Sequence, residues 1–236
     1  MSVSKNIAAI REQIPTNVKL VCVSKFHSVE NIIEAYNAGE RIFGESRAQE
    51  MSNKYPQLPK DIQWHFIGHL QKNKIKYIAP FVSMIHSVDS LELLQEINQH
   101  AFKNQRVINI LLQIHIAREE AKFGFSNNDI LDFLKNETWR NLENIRICGL
   151  MGMASFTSDT TIINAEFQTL AQLYQKIKKE YFSTDDNFCE LSMGMTDDFP
   201  QAIENGSTMV RIGSAIFGER TASPSPSEGG DVRAGY

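Results

Sequence analysis

Long apolar runs are missing from this 236-residue chain: none approaches the roughly 20 residues that a membrane-spanning helix needs. The opening segment, MSVSKNIAAIREQI, lacks the apolar core of a secretory signal, so a cytoplasmic protein is expected. Cysteine is scarce. Its three residues, Cys22, Cys148 and Cys189, are odd in number, sit in apolar stretches and show no metal-ligand spacing, which fits reduced core thiols rather than a disulfide framework. Strong charge of either sign is missing too: 24 Lys and Arg stand against 28 Asp and Glu, for a net charge of -4. A mildly acidic surface repels phosphate backbones, so no nucleic acid is expected as a partner. Proline and glycine number only 7 and 13, and several of them crowd into TASPSPSEGGDVRAGY (221–236). That tail has almost nothing to bury and is expected to be disordered, leaving residues 1–220 as one domain. The overall composition, 42% hydrophobic and 22% charged, is that of a globular protein and excludes a fibrous or wholly disordered chain.

What is present is an alternation. Short apolar, β-branched runs are followed by amphipathic stretches, beginning with KLVCVSK (19–25) and SVENIIEAYNAG (28–39). In that second stretch Ser28 can cap the first turn, Ile32, Ile33, Ala35 and Tyr36 form an i, i+3, i+4 stripe, and Gly39 supplies a left-handed stop. Further strand candidates are RIFGES (41–46), IQWHFIGH (62–69), VSMIHSVD (82–89), VINILLQIHI (107–116), IRICGLMGMAS (145–155), NFCELSMGM (187–195) and MVRIGSAIFG (209–218), with helix candidates between them. Eight strand units separated by helices predict an α/β protein, a (β/α)8 TIM barrel, with an extra helix from Ser4 to Gln13 ahead of it. An open doubly wound sheet is the alternative.

In such barrels the carboxyl ends of the strands carry function. Lys25 closes the first strand, where alternation puts Val21, Val23 and Lys25 on one face. An inward lysine at a barrel mouth is pushed by burial toward a neutral, imine-forming amine, although a lysine past a strand end can also simply reach solvent. At the other end of the chain, LSMGMTDDF (191–199) and STMVRIGSAIFG (207–218) follow the seventh and eighth strands, where barrels commonly build a phosphate site. Gly194 and Gly213 would let backbone approach an anion, and Ser192 and Ser214 offer hydroxyls; ordinary turns also use these residue types. An imine-capable lysine and a phosphate cradle on one rim suggest an aldehyde carrying a phosphate, and pyridoxal 5′-phosphate (PLP) is the common cofactor of that description. His65 and His69 sit four apart, a spacing suited to metal only on a helix; on a strand they imply one inward imidazole and one loop contact. His86 ends the fourth strand and is expected at the mouth. Lys72, Lys74 and Lys76 are expected as a solvated helix start.

The blocks VCVSKFHS (21–28), FGESRAQE (43–50), WHFIGHLQKNK (64–74), IHSVDS (85–90), GLMGMAS (149–155), LSMGMTDDF (191–199) and GSTMVRIGSAIFG (206–218) together resemble the pyridoxal phosphate homeostasis protein family, single-domain relatives of the fold-type III barrel of alanine racemase. The resemblance implies that Lys25 holds PLP as a Schiff base, that Ser192, Gly213 and Ser214 bind its phosphate, and that Arg211 lies against the pyridine nitrogen. It also implies that Met151 and His65 sit close to the ring. Where the family has FGENR this chain has FGESR, so Ser46 replaces an amide near the cofactor with a shorter hydroxyl, a gap that a water can span.

Two functions fit such a barrel: a carrier that holds PLP and delivers it to PLP-dependent apoenzymes, or a slow racemase or other amino-acid enzyme. An aldolase-like Schiff-base barrel is a further alternative. The chain stops after the eighth strand, with no second domain to close over the cofactor, so carriage by a monomer without significant catalysis is the expectation.

Overall fold

The computed structural model describes residues 2–118 and 123–218; the tail at 221–236 lies outside the described residues. Helix α1 (Val3–Arg11) comes first, followed by β1 (Lys19–Val23), α2 (Val29–Asn37), β2 (Ile42–Glu45), α3 (Ala48–Lys54), β3 (Gln63–Phe66), α4 (Ile75–Ile78), β4 (Met84–Val88) and α5 (Leu91–Lys103). Then come β5 (Ile108–Gln113), α6 (Asn127–Lys135), β6 (Ile145–Met151), α7 (Thr160–Tyr181), β7 (Glu190–Ser192), α8 (Phe199–Glu204), β8 (Met209–Ile212) and α9 (Ser214–Phe217). The strands pair in chain order, all parallel, and β8 returns to β1. This is the closed (β/α)8 barrel that the alternation predicts, not the open sheet.

Local chemistry explains the elements. The side chains of Ser28, Ser90 and Ser126 accept from backbone N–H groups in the first turns of α2, α5 and α6. Helix α2 buries Ile32 and Ala35 and is followed by Gly39 at φ 105°, the left-handed stop. Between barrel and helices lies the larger core, which includes Trp64, Phe43, Phe66 and Phe167. Within the barrel sits a smaller one of Val21, Met84, Leu111, Cys148, Met151 and Met209.

Strict alternation would not put both Cys148 and Met151 inside, because they are three residues apart. The register of β6 against β5 slips by one, from Ile110 opposite Ile147 to Leu111 opposite Gly149. Gly149, at φ 152°, takes up the extra residue of this bulge and resets which side chains face inward.

Three expectations need correction. The first strand ends at Val23 and does not reach Lys25, which lies in the turn closed by Phe26 at φ 69°. The eighth strand does not run to Gly218: it ends at Ile212, and Ser214–Phe217 coils into α9, where Ile216 is buried and its carbonyl accepts from Asn6 Nδ2 at 2.8 Å. Apolar content alone could not separate a buried strand from this short turn of helix against α1. Cys189 is exposed rather than a core thiol, while Cys22 and Cys148 are buried.

Candidate functional site

The strand carboxyl ends open onto a cavity of about 340 Å³, within the range of about 300–1,000 Å³ usual for small-molecule sites. Val23, Ile67, Ala154 and Ile163 give it apolar walls, and Met153, Phe156 and Met195 form an exposed apolar rim. Five of the residues singled out in the sequence line it: Lys25, Ser46, Arg211, Gly213 and Ser214. Lys25 is half-buried, one residue before Phe26, which adopts φ 69°.

The lining also includes hydrogen-bonding groups. Ser214 Oγ and Thr196 Oγ1 lie 3.1 Å apart. The first N–H groups of α9, which have no acceptor within a helix, start at Ser214. Gly213 makes room: a Cβ there would meet the carbonyl oxygen of Val23 at 3.1 Å and its side chain at 3.2 Å. Asp198 Oδ1 accepts from Met195 N–H at 2.5 Å, fixing the turn that carries Thr196. Burial holds the Asp198 carboxyl above its ordinary range. On the neighbouring wall, Ser155 N–H and Oγ each donate to buried Glu166 of α7 at 2.7 Å, pinning the loop after β6.

Arg211 reaches the cavity from within the barrel and is only 4% exposed. Burial lowers its pKa to about 10, with Asp198 opposing, so it remains a cation at neutral pH. Its guanidinium donates to Ser192 Oγ at 2.7 Å and to the Gly152 carbonyl at 3.1 Å. Ser192 Oγ is also 3.1 Å from His86 Nδ1, and His86 Nε2 is 2.9 Å from His65 Nδ1. Arginine only donates, so Ser192 Oγ accepts from it; every group in the chain is paired when the Ser192 hydroxyl donates to His86 Nδ1 and His86 Nε2–H donates to His65 Nδ1. Burial favours the neutral imidazole in both, pushing His65 to about 3 and His86 well below the ordinary value.

This chain relocates the remaining candidates. Ser192, His65 and Met151 do not line the cavity; they are buried inside the barrel beneath Arg211, where Ser192 is saturated by Arg211 and His86. His86, expected at the mouth, belongs to the same interior chain. His69 lies in the loop after β3, stacked on Phe123 at 3.9 Å. Among the described residues no group of three or more His, Cys, Asp or Glu stands close enough to hold a metal ion. No described helix is long and apolar enough to cross a membrane. Sequence reasoning missed Thr196, Ser155 and His27 as lining residues. Thr196 was legible in part, since it sits in the LSMGMTDDF block already singled out for its glycine and serine.

The chain matches the family described as alanine racemase, N-terminal domain, over residues 2–221. It is 39% identical over 203 residues to the pyridoxal phosphate homeostasis protein of Aquifex aeolicus, covering 86% of this chain and 87% of that one. The human pyridoxal phosphate homeostasis protein is 37% identical over 88% of this chain and 78% of its own length. Among solved structures, PipY of Synechococcus elongatus with PLP bound superposes with a TM-score of 0.83 at 32% identity, covering 92% of this chain and 100% of PipY. Alanine racemase of Clostridium difficile, at 16% identity and a TM-score of 0.72, shares the fold over 61% of its length. The chain belongs to the alanine racemase N-terminal domain family and, within it, to the pyridoxal phosphate homeostasis proteins.

Proposed function

We propose that this protein binds PLP, covalently through an imine at Lys25, and serves in the cytoplasm as a monomeric carrier that holds the cofactor and delivers it to apoenzymes. One observation carries the reading: an amine, a buried guanidinium and a pair of hydroxyls beside helix-start N–H groups line a single cavity. These are the groups that an aldehyde, a pyridine nitrogen and a phosphate ester respectively require. When bound, PLP supplies the electrophilic carbon and an electron-withdrawing ring. Thr196, Gly213 and Ser214 would hold the phosphate, and Arg211 would donate to the pyridine nitrogen. Arg211 stays charged and so gives that nitrogen no proton, which leaves the ring a weaker electron sink and suits storage better than carbanion chemistry. Ser192 serves this site at one remove, by orienting Arg211.

Carriage rather than turnover is also favoured by the histidines. His65 and His86 are sealed in the barrel as neutral imidazoles and do not line the cavity, so neither faces Lys25 as a second base. His27 lines the cavity, but its ring stacks on Phe217 at 4.9 Å. Borohydride reduction of the PLP-loaded protein followed by peptide mapping should find the adduct at Lys25, and Lys25→Ala should lose the visible imine absorbance; a main adduct on another lysine overturns the assignment. Incubation with alanine and serine in deuterated water should show α-proton exchange far below the roughly 1–1,000 per second of typical enzymes. Exchange at enzyme-like rates would make the protein a racemase-like enzyme instead.

A further inference from the structure

We propose that Glu50 and Lys54, together with Glu45, are positioning residues for Lys25, gripping the backbone on both sides of it from outside the cavity. The inference rests on the reading of Lys25 as the residue that carries the cofactor. The FGESRAQE block supplied only Ser46 to the cavity; its two glutamates face the other way.

Lys54 is 8% exposed, and its Nζ donates to three acceptors: the Ser24 carbonyl at 2.9 Å, Glu45 Oε1 at 2.8 Å and Glu50 Oε1 at 2.7 Å. Three donors meet three acceptors, so this buried lysine is a saturated ammonium and not a rival nucleophile. Glu45, fully buried, also accepts from Ser24 Oγ at 2.7 Å. Glu50 reaches past Lys25 and accepts from Phe26 N–H at 2.6 Å. The residue before Lys25 is thus held at its carbonyl and hydroxyl, and the residue after it at its amide, by one charged cluster.

What the grip maintains is strained. Phe26 sits at φ 69°, a left-handed conformation that a non-glycine residue adopts only when its surroundings impose it. The Glu50 contact, with His27 N–H donating to the Ser24 carbonyl at 3.1 Å, closes the chain into this elbow immediately after β1. Without it the backbone can relax to the right-handed or extended regions, and the lysine is no longer presented at a fixed angle to the cavity. A misplacement of about 1 Å at a reacting group can cost on the order of a hundredfold in reactivity.

The test compares two probes that differ only in the group Lys25 attacks. PLP forms the imine; pyridoxine 5′-phosphate, which has an alcohol in place of the aldehyde, uses the same phosphate and ring contacts without it. Glu50→Ala should weaken PLP binding, titrated by imine absorbance, about tenfold. Its affinity for pyridoxine 5′-phosphate should stay within about twofold of wild type. Glu50→Gln, which restores an oxygen acceptor for Phe26 N–H, should recover most of the imine. Should Glu50→Ala not fold, Glu50→Ser takes its place with the same expectation, being too short to span to either partner. Unchanged PLP affinity, or equal weakening of both probes, overturns the proposal. Failure of the underlying reading shows separately, as a wild-type borohydride adduct away from Lys25.

Discussion

Three serines and threonines near the mouth look alike in sequence and do different work. Ser214 and Thr196 present their hydroxyls to the cavity, whereas Ser192, 22 residues before Ser214 in the chain, is enclosed between Arg211 and His86. Ser214→Ala and Thr196→Ala should each reduce PLP affinity by about 1–2 kcal/mol, the loss of one hydrogen bond to a charged group, with little change in unfolding free energy. Ser192→Ala should show the reverse balance. It leaves a guanidinium N–H and a histidine nitrogen unpaired in a dry interior, at a cost of about 1–3 kcal/mol of stability. Urea unfolding of the apoprotein beside PLP titration separates the two classes, and equal effects on both measurements from all three variants would refute the division. The resemblance assigns Ser192 to the phosphate, and the same pair of measurements decides between that role and the orienting of Arg211. The inward turn at Ser192 depends on where β7 stops, and a three-residue strand gives no period from which to read it. Lys25 and Ser214 both line the cavity, each two residues past the last residue of its strand.

At the level of elements, the bulge in β6 shows what periodicity cannot deliver. β1 is regular and keeps the expected phase, with Val21 inside the barrel and Val23 on the cavity, but it ends there, and in β6 the phase changes at one glycine. A Cβ at Gly149 would stand 1.7 Å from the Glu190 carbonyl oxygen, inside the neighbouring strand's backbone, and φ 152° is itself closed to L side chains. Neither partner can yield without breaking the barrel. Gly149→Ala should therefore lower the unfolding free energy by more than about 3 kcal/mol or abolish soluble expression, as overpacking against backbone does. A urea midpoint within experimental error of wild type would mean that β6 can adopt another register. Helix α2 is far more legible than this: its Ser28 cap and apolar stripe are local signals, readable without knowing the partner strand, while a bulge is a property of two strands at once.

For the whole molecule, the chain from Arg211 through Ser192 and His86 to His65 makes stability depend on pH. Both imidazoles are buried neutral, so their folded pKa values lie below the ordinary 6.5, that of His65 at about 3. Unfolded, each takes up a proton as pH falls through about 6.5 while the folded protein resists it, so stability is lost on acidification. By pH 5 the loss is about 2 kcal/mol for His65, and His86 adds to it in the same direction. Glu45 works in the opposite direction. Burial raises its carboxyl to about 6, so between roughly pH 6 and 4.5 the folded state binds the proton first and gains about 1 kcal/mol by pH 5. The net expectation for the apoprotein between pH 7.5 and pH 5 is a loss of stability, measured by urea unfolding at the two values. Replacing His65 with Gln, whose side-chain oxygen can still accept from His86 Nε2–H, should reduce that loss by about 2 kcal/mol. If stability were flat or rose over this interval, the two histidines would not be neutral in the fold. The direction assigned to the hydrogen bonds beneath Arg211 would then have to be reversed, with a charged imidazole donating to Ser192.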